Sequence, residues 1–389
     1  MGTRVTRLDT SVAAATETPI DAVEVHAFTL PTDGPGGVEQ DGTLEWDSTT
    51  MVLVVLQGGG ERGIGYTYGD LAVAPLIHGT FAPLALGADA LAPPSLWRRL
   101  HDVLRNKGRS GIGGMALSAV DIAAWDLKAR LLGLPLFRAL PSYHDAVPVY
   151  GSGGFTNYST ERLVAQLTGW VEDGIDSVKL KTSRDPDDDP RRLTAVRSAL
   201  GGDTALFVDA NGALSRKDAL YWARRFAHDW DVRWLEEPVS SDDRAGLRLV
   251  RDQGPGGLDI AAGEYSYLLR DSADLIESGA VDCLQADVTR CGGVTGLLEI
   301  AGLCAAEQVP LSAHCAPAAS AHAFCAVRRL RHLEYFHDHV RFEDLAFDGV
   351  LTPDGGVLRP DPDRPGLGLT VRWPDVEPYR VWGPAAAGT

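Results

Sequence analysis

Between Pro141 and Ala346, short apolar strands alternate with helical stretches, and strand after strand from the second onward runs out at an ionisable side chain. The strands read as Val147–Tyr150, Ser177–Leu180, Leu206–Val208, Arg233–Leu235, Asp259–Ala262, Cys283–Gln285, Pro310–Ala313 and His332–Leu333. Eight strands separated by helices over about 200 residues specify a parallel (β/α)8-type barrel, a TIM-like α/β fold whose chemistry gathers at the C-terminal strand ends. At those ends stand Lys179 and Lys181, then Asp209, Glu236, Glu264, Asp287, His314 and Glu334. The last six follow one another at 27, 28, 23, 27 and 20 residues, each about one strand plus one helix. A single polar strand end is unremarkable; a whole ring of them is not.

The chain before the barrel has a different pattern. From Ile20 to Tyr68 it is alternating and β-branched, with a strand over Thr50–Leu56, a turn at Gly58–Gly60 and a return over Gly63–Tyr68. Ala116, Val120, Ala123, Leu127 and Leu131 then form one apolar helical stripe. Sheet followed by helix predicts an α+β capping domain over residues 19–140, ahead of a barrel over 141–345. Residues 346–389 are rich in Pro, Gly and Asp and are expected to return to the capping domain, while residues 1–18 are polar and expected to be disordered. The start Met1-Gly-Thr-Arg-Val-Thr6 fits a loose myristoylation pattern that six residues match often by chance, and we set it aside.

Composition narrows the partners. With 36 basic and 53 acidic residues the chain carries −17, which repels nucleic acid and anionic membranes. No apolar run approaches the ~20 residues of a membrane helix, and no secretory signal pattern is present, so a cytoplasmic location is expected. Cys283, Cys291, Cys304, Cys315 and Cys325 are odd in number and lack CxxC spacing, which suits buried thiols in a reducing compartment. The expected partner is a small-molecule carboxylate, with the protein itself a homo-oligomer. The glycine-rich segments Pro31–Gly37 and Gly151–Gly154 lack the context of a phosphate loop and are expected to be mobile loops of the site.

Asp209, Glu236 and Glu264 would end strands three, four and five, side by side. Three converging carboxylates repel one another unless a hard divalent cation sits between them, and oxygen donors favour Mg²⁺. Asn211 and Glu237 either orient these ligands or simply finish their strands. Lys179 and Lys181 are two apart and share a face of strand two. Two neighbouring ammonium groups lower each other's pKa, so Lys181 is expected as a base and Lys179 as the partner of a substrate carboxylate. Asp287 and His314 would end adjacent strands, placing a carboxylate against an imidazole. Glu334 is expected as a protonated acid donating a hydrogen bond to an enolate oxygen, with an ion pair to Arg331 or His332 as the plainer alternative.

These residues, in this order, resemble the mandelate racemase subgroup of the enolase superfamily. Ala116-Leu-Ser-Ala-Val-Asp-Ile-Ala-Ala-Trp-Asp126 is similar to that family's capping-domain helix, Lys179-Leu-Lys181 to its second-strand base motif, and Pro365-Gly-Leu-Gly368 to its late return segment. The resemblance implies Mg²⁺ on Asp209, Glu236 and Glu264, Lys181 and His314 on opposite faces of the substrate, Asp287 supporting His314, and Glu334 as electrophile. The muconate-lactonising subgroup requires a lysine at the end of strand six; Asp287-Val-Thr-Arg290 has none. The family closes its site with an N-terminal loop, here Thr29–Ser48, whose Asp33, Glu39, Gln40, Asp41, Thr43, Trp46 and Asp47 suit a polyhydroxylated acid. The expected activity is removal of the proton α to a carboxylate, with dehydration of a sugar acid to a 2-keto-3-deoxy acid. Racemisation or epimerisation by the same residues, and a catalytically silent metal- or acid-binding barrel, are the alternatives.

Overall fold

A computed structural model describes residues 17–384. The tail expected to be disordered lies outside the described residues except at its end, where the Thr18 carbonyl accepts a hydrogen bond from the Ala90 amide (2.8 Å).

Eight parallel strands form the barrel: Val147–Gly153, Ser177–Lys181, Ala205–Asp209, Val232–Glu236, Asp259–Ala262, Cys283–Ala286, Leu311–Ala313 and Leu330–Phe336. The eighth pairs in parallel with the first, closing the ring. This strand is longer than the sequence pattern suggests, so Glu334 lies within it rather than beyond its end. Leu-, Val- and Ile-rich outward faces pack on the surrounding helices. The inward faces stack in layers, as a period-two backbone in a closed barrel requires. Tyr150, Phe207 and Trp234 form the floor, with Phe207 and Trp234 stacked at 5.7 Å between centroids.

The capping sheet has the order Arg380–Trp382, Ile20–Pro31, Ser48–Gly58, Glu61–Tyr68, all antiparallel, so a C-terminal strand completes an N-terminal sheet. The helix Ile112–Leu131 lies directly on this sheet. Glycine makes the approach possible: a Cβ on Gly63 would stand 2.3 Å from the Leu127 amide nitrogen, and one on Gly65 would stand 2.3 Å from the Ala119 carbonyl oxygen.

The same helix carries the acidic groups that fasten cap to barrel. Asp121 accepts from the Thr295 amide (2.8 Å) and hydroxyl (2.7 Å), on the helix that follows strand six. Asp126 accepts from the Ile64 amide (2.7 Å) and from the Leu367 amide (2.5 Å), joining the sheet to the return segment. Burial without such partners would cost several kcal/mol per carboxylate, roughly; here the bonds fix the cap over the barrel mouth.

Candidate active site

The strand ends bring the predicted ring together. Oxygens of Asp209, Glu236 and Glu264 lie within 4.8 Å of one another, and all three side chains are buried. This is an all-oxygen donor set that fits a hard divalent cation. Asn211 and Glu237 flank it. The Asn211 amide and side chain donate to Asp209 (2.8 and 3.2 Å), which fixes both Asp209 oxygens. Glu237 is buried against the triad, and burial together with Glu264 and Asp209 pushes its carboxyl well above the usual range.

The backbone is unusual at the same places. Ser183, Asn211, Glu237, Cys315 and Ala316 all have positive φ, between 40° and 72°, and all follow barrel strands at the mouth. Non-glycine residues in this region are strained, and such strain gathers where geometry is functional.

On strand two, the lysines occupy different places. The Lys181 Nζ lies 2.5 Å from Asp209 Oδ2 and borders the open cavity. Lys179, expected beside a substrate carboxylate, is instead fully buried beneath the triad, paired with Glu236 (2.7 Å) and Glu334 (2.7 Å). Burial works to lower Lys181 and so, as expected, does Lys179, but other groups decide the outcome. Asp209, Glu236 and Glu334 outweigh both burial and Lys179, and the ammonium is held above its ordinary range.

Glu334 also departs from expectation. Burial alone would raise it, yet Lys179 beside it, with His314 and Lys181, holds it well below the carboxylate range. It is an ionised carboxylate that accepts from Ser152 Oγ (2.6 Å) and the Cys315 thiol (3.3 Å), not a neutral donor, and it pairs with neither Arg331 nor His332.

His314 behaves as the sequence suggests. Its Nδ1 bonds Asp287 Oδ2 (2.8 Å), and its Nε2 lies 3.1 Å from Glu264 Oε2. Burial opposes its charge, but the carboxylates and Cys315 around it raise its pKa well above the ordinary value, making it an imidazolium. Asp287 is itself fixed by the Thr289 amide (2.7 Å) and hydroxyl (2.6 Å). Within the triad the burdens are unequal. Burial and Asp209 push Glu236 up to about 8, whereas His314 and Arg290 overcome burial to hold Glu264 well below its usual value.

The segment expected to close the site does cover it, although Thr29–Pro31 belong to a strand of the cap. Glu39–Gln40 and Glu45–Trp46 form a small hairpin whose tip lies on the mouth. A Cβ on Gly42 would stand 2.3 Å from the Ala210 carbonyl oxygen, so only glycine allows this approach. Thr156 and Asn157 bind the Gln40 and Val38 carbonyls (both 2.8 Å) and hold the hairpin down.

Among the cavity residues that escaped the sequence reading are Tyr265, Arg290, Cys315 and Asp338. Arg290 was visible as the cation three residues after Asp287, and it lies 3.4 Å from that carboxylate. Asp338 follows strand eight at the start of a helix, one turn beyond Glu334, a position that any longer reading of that strand would have exposed. A larger hollow of about 430 Å³ beside Gly263 and Tyr265 contains none of the triad, the lysines or His314.

Two family models match the chain: "Enolase C-terminal domain-like" over residues 162–376 and "Mandelate racemase / muconate lactonizing enzyme, N-terminal domain" over residues 42–140. The chain is similar to a mandelate racemase/muconate lactonizing enzyme-like protein of Rubrobacter xylanophilus, with 59% identity and a TM-score of 0.91 over 93% of this chain and 99% of that one. It is 31% identical to the 3,6-anhydro-alpha-L-galactonate cycloisomerase of Streptomyces coelicolor, covering 90% of this chain and 97% of that protein. It is 32% identical to the L-talarate/galactarate dehydratase of Salmonella typhimurium LT2, covering 93% and 92%. That dehydratase liganded with Mg and L-lyxarohydroxamate gives a TM-score of 0.86 at 28% identity, over 98% of this chain and 97% of that one.

Proposed function

This chain belongs to the enolase superfamily, in its mandelate racemase subgroup, and from that premise we propose that it is a magnesium-dependent sugar-acid dehydratase. Asp209, Glu236 and Glu264 would hold the ion, with Asn211 and Glu237 supporting the triad. Magnesium there would neutralise the oxygens that now keep Lys181 protonated, attract the substrate carboxylate and stabilise charge on the enediolate.

The chain's own residues supply the proton transfers. Lys181 borders the cavity on strand two, on one flank of the triad; its amine would take the α-proton. His314 stands on strand seven, on the other flank, and as an imidazolium it would be the acid. It would give its Nε2 proton to the β-hydroxyl, which leaves as water while the carbon–oxygen bond breaks and the new carbon–carbon double bond forms. Asp287 fixes the opposite ring nitrogen and stabilises the imidazolium before transfer. The resulting enol tautomerises to the 2-keto-3-deoxy acid, Lys181 releases its proton, and His314 regains one from solvent.

Lys179 and Glu334 lie beneath these groups as a buried ion pair and position the triad from below. The observation that carries the reading is the placement of two proton-transfer groups of different kinds on the two flanks of one carboxylate triad. The same pair would also serve inversion at the α-carbon, which is the racemase reading. Incubation with Mg²⁺ and a panel of sugar acids tests the choice. Accumulation of a 2-keto-3-deoxy acid supports dehydration; an epimer alone supports racemisation; neither product, with no α-hydrogen exchange, leaves the silent barrel.

A further inference from the structure

The cavity above the triad has a volume of about 200 Å³, below the roughly 300–1,000 Å³ of pockets for drug-sized ligands. Two carboxylates at the strand ends line it, Glu264 of the triad and Glu334, which pairs with Lys179. Lys181, Arg290 and His314 line it from the ends of strands two, six and seven. On the side formed by the hairpin and the end of strand eight, it is lined by Asp41, Trp46, Thr49, Asp338 and His339.

That second wall has acceptors and no positive charge. Asp41 takes its hydrogen bonds from the Thr43 and Leu44 amides (both 2.7 Å), a local turn, and makes no ion pair among the described residues. Asp338 accepts from Trp46 Nε1 (3.0 Å) and Thr49 Oγ1 (3.4 Å), and it too has no ion pair among the described residues. His339 is pushed down to about 3 by burial and is therefore uncharged. The nearby arginines are spent elsewhere: Arg162 and Arg341 pair with Asp33 outside the cavity, and the His337 ring contacts the same carboxylate.

Resting on the sugar-acid dehydratase reading, we propose that this site takes monocarboxylate sugar acids, the aldonates, and rejects the dicarboxylate aldarates. The one carboxylate goes to the cationic wall and the metal site, while Asp41 and Asp338 accept from hydroxyls at the far end and repel a second carboxylate. Specificity of this kind needs a repulsive element as well as an attractive one. A carboxylate about 6 Å from one of these aspartates, at an effective dielectric of about 20, is disfavoured by roughly 100-fold. The diacid named for the Salmonella relative would be a poor substrate here.

Matched pairs test this: gluconate against glucarate and galactonate against galactarate, by kcat/KM with Mg²⁺ and by calorimetric Kd. The wild type is expected to favour the aldonate of a pair by about 100-fold, and Asp338→Asn should cut that preference at least about tenfold, mainly through a lower KM for the aldarate. Asp41→Asn is the second variant, since Asp338 also holds Trp46 and its loss could disturb the hairpin. An aldarate used as well as its aldonate, or a preference unmoved in both variants, overturns the proposal and leaves the dehydratase reading standing. Failure of both classes to turn over or to exchange α-hydrogen overturns the dehydratase reading, and this proposal with it.

Discussion

The floor and the mouth of this barrel are built from the same strands only two residues apart, yet they obey opposite rules. At the floor, Tyr150, Phe207 and Trp234 interlock around His332, which burial holds uncharged well below its ordinary pKa. At the mouth, Lys181, Asp209, Glu236, Glu264 and His314 crowd charge into equally buried space. One layer gains stability from area removed from water; the other gives stability up to concentrate charge where a substrate would sit. The layers also touch, since the Trp234 indole donates to Glu236 (3.0 Å) and Lys179 lies over the Tyr150 ring. The floor is a platform that aims the mouth.

Removing a mouth carboxylate should have the largest effect. Asp209→Asn is expected to lower kcat/KM by about 10⁴-fold or more, roughly 5 kcal/mol of transition-state stabilisation. It should also abolish the rise in Tm that Mg²⁺ gives the wild type, since a ligand that binds only the folded state stabilises it by mass action. A variant that keeps the magnesium-dependent Tm shift would remove Asp209 from the metal site.

Damage to the floor should appear first as lost stability. Trp234→Ala deletes a fully buried indole and is expected to cost about 3–5 kcal/mol in urea unfolding. The milder Trp234→Phe keeps the ring packing and loses the bond to Glu236, so it should lower activity more than stability. If Trp234→Phe left kcat untouched, floor and mouth would be independent.

The smallest expected effect concerns the hairpin that covers the mouth. Glu39 is buried, and burial together with Asp338 pushes its carboxyl up to about 10. Its folded pKa exceeds its unfolded value, so its contribution is fully present below about pH 4.5 and is lost as pH rises toward 10. Glu39→Gln should flatten the decline of Tm between pH 6 and 9 by a few degrees, at roughly 1 °C per kcal/mol for a chain of this length. An unchanged slope would show that another group governs it.

The comparison of floor and mouth also explains what could be read from the sequence. Regular spacing of charged strand ends revealed the barrel, the triad and the Asp287–His314 pair because a closed parallel barrel repeats one geometry eight times. Lys179 was misplaced because spacing gives the face a side chain shares, not its depth. Lys179 lies one layer below Lys181, where Glu236 and Glu334 claim it. Glu334 likewise owes its charge to Lys179 on another strand, a contact that spacing along the chain does not reveal. Asp338 was missed because strand eight runs longer than its pattern suggests, and Cys315 because its position depends on a left-handed turn at Cys315 and Ala316.

The division of labour between Lys181 and His314 is the central claim, and hydrogen exchange in the His314→Asn variant tests it most directly. With Mg²⁺ and a substrate aldonate in D₂O, the variant should form no 2-keto-3-deoxy acid yet still wash deuterium into the α-position, because Lys181 can take and return a proton but asparagine cannot expel the hydroxyl. A folded, magnesium-binding variant that no longer exchanges would contradict the account and make His314 the residue that removes the α-proton.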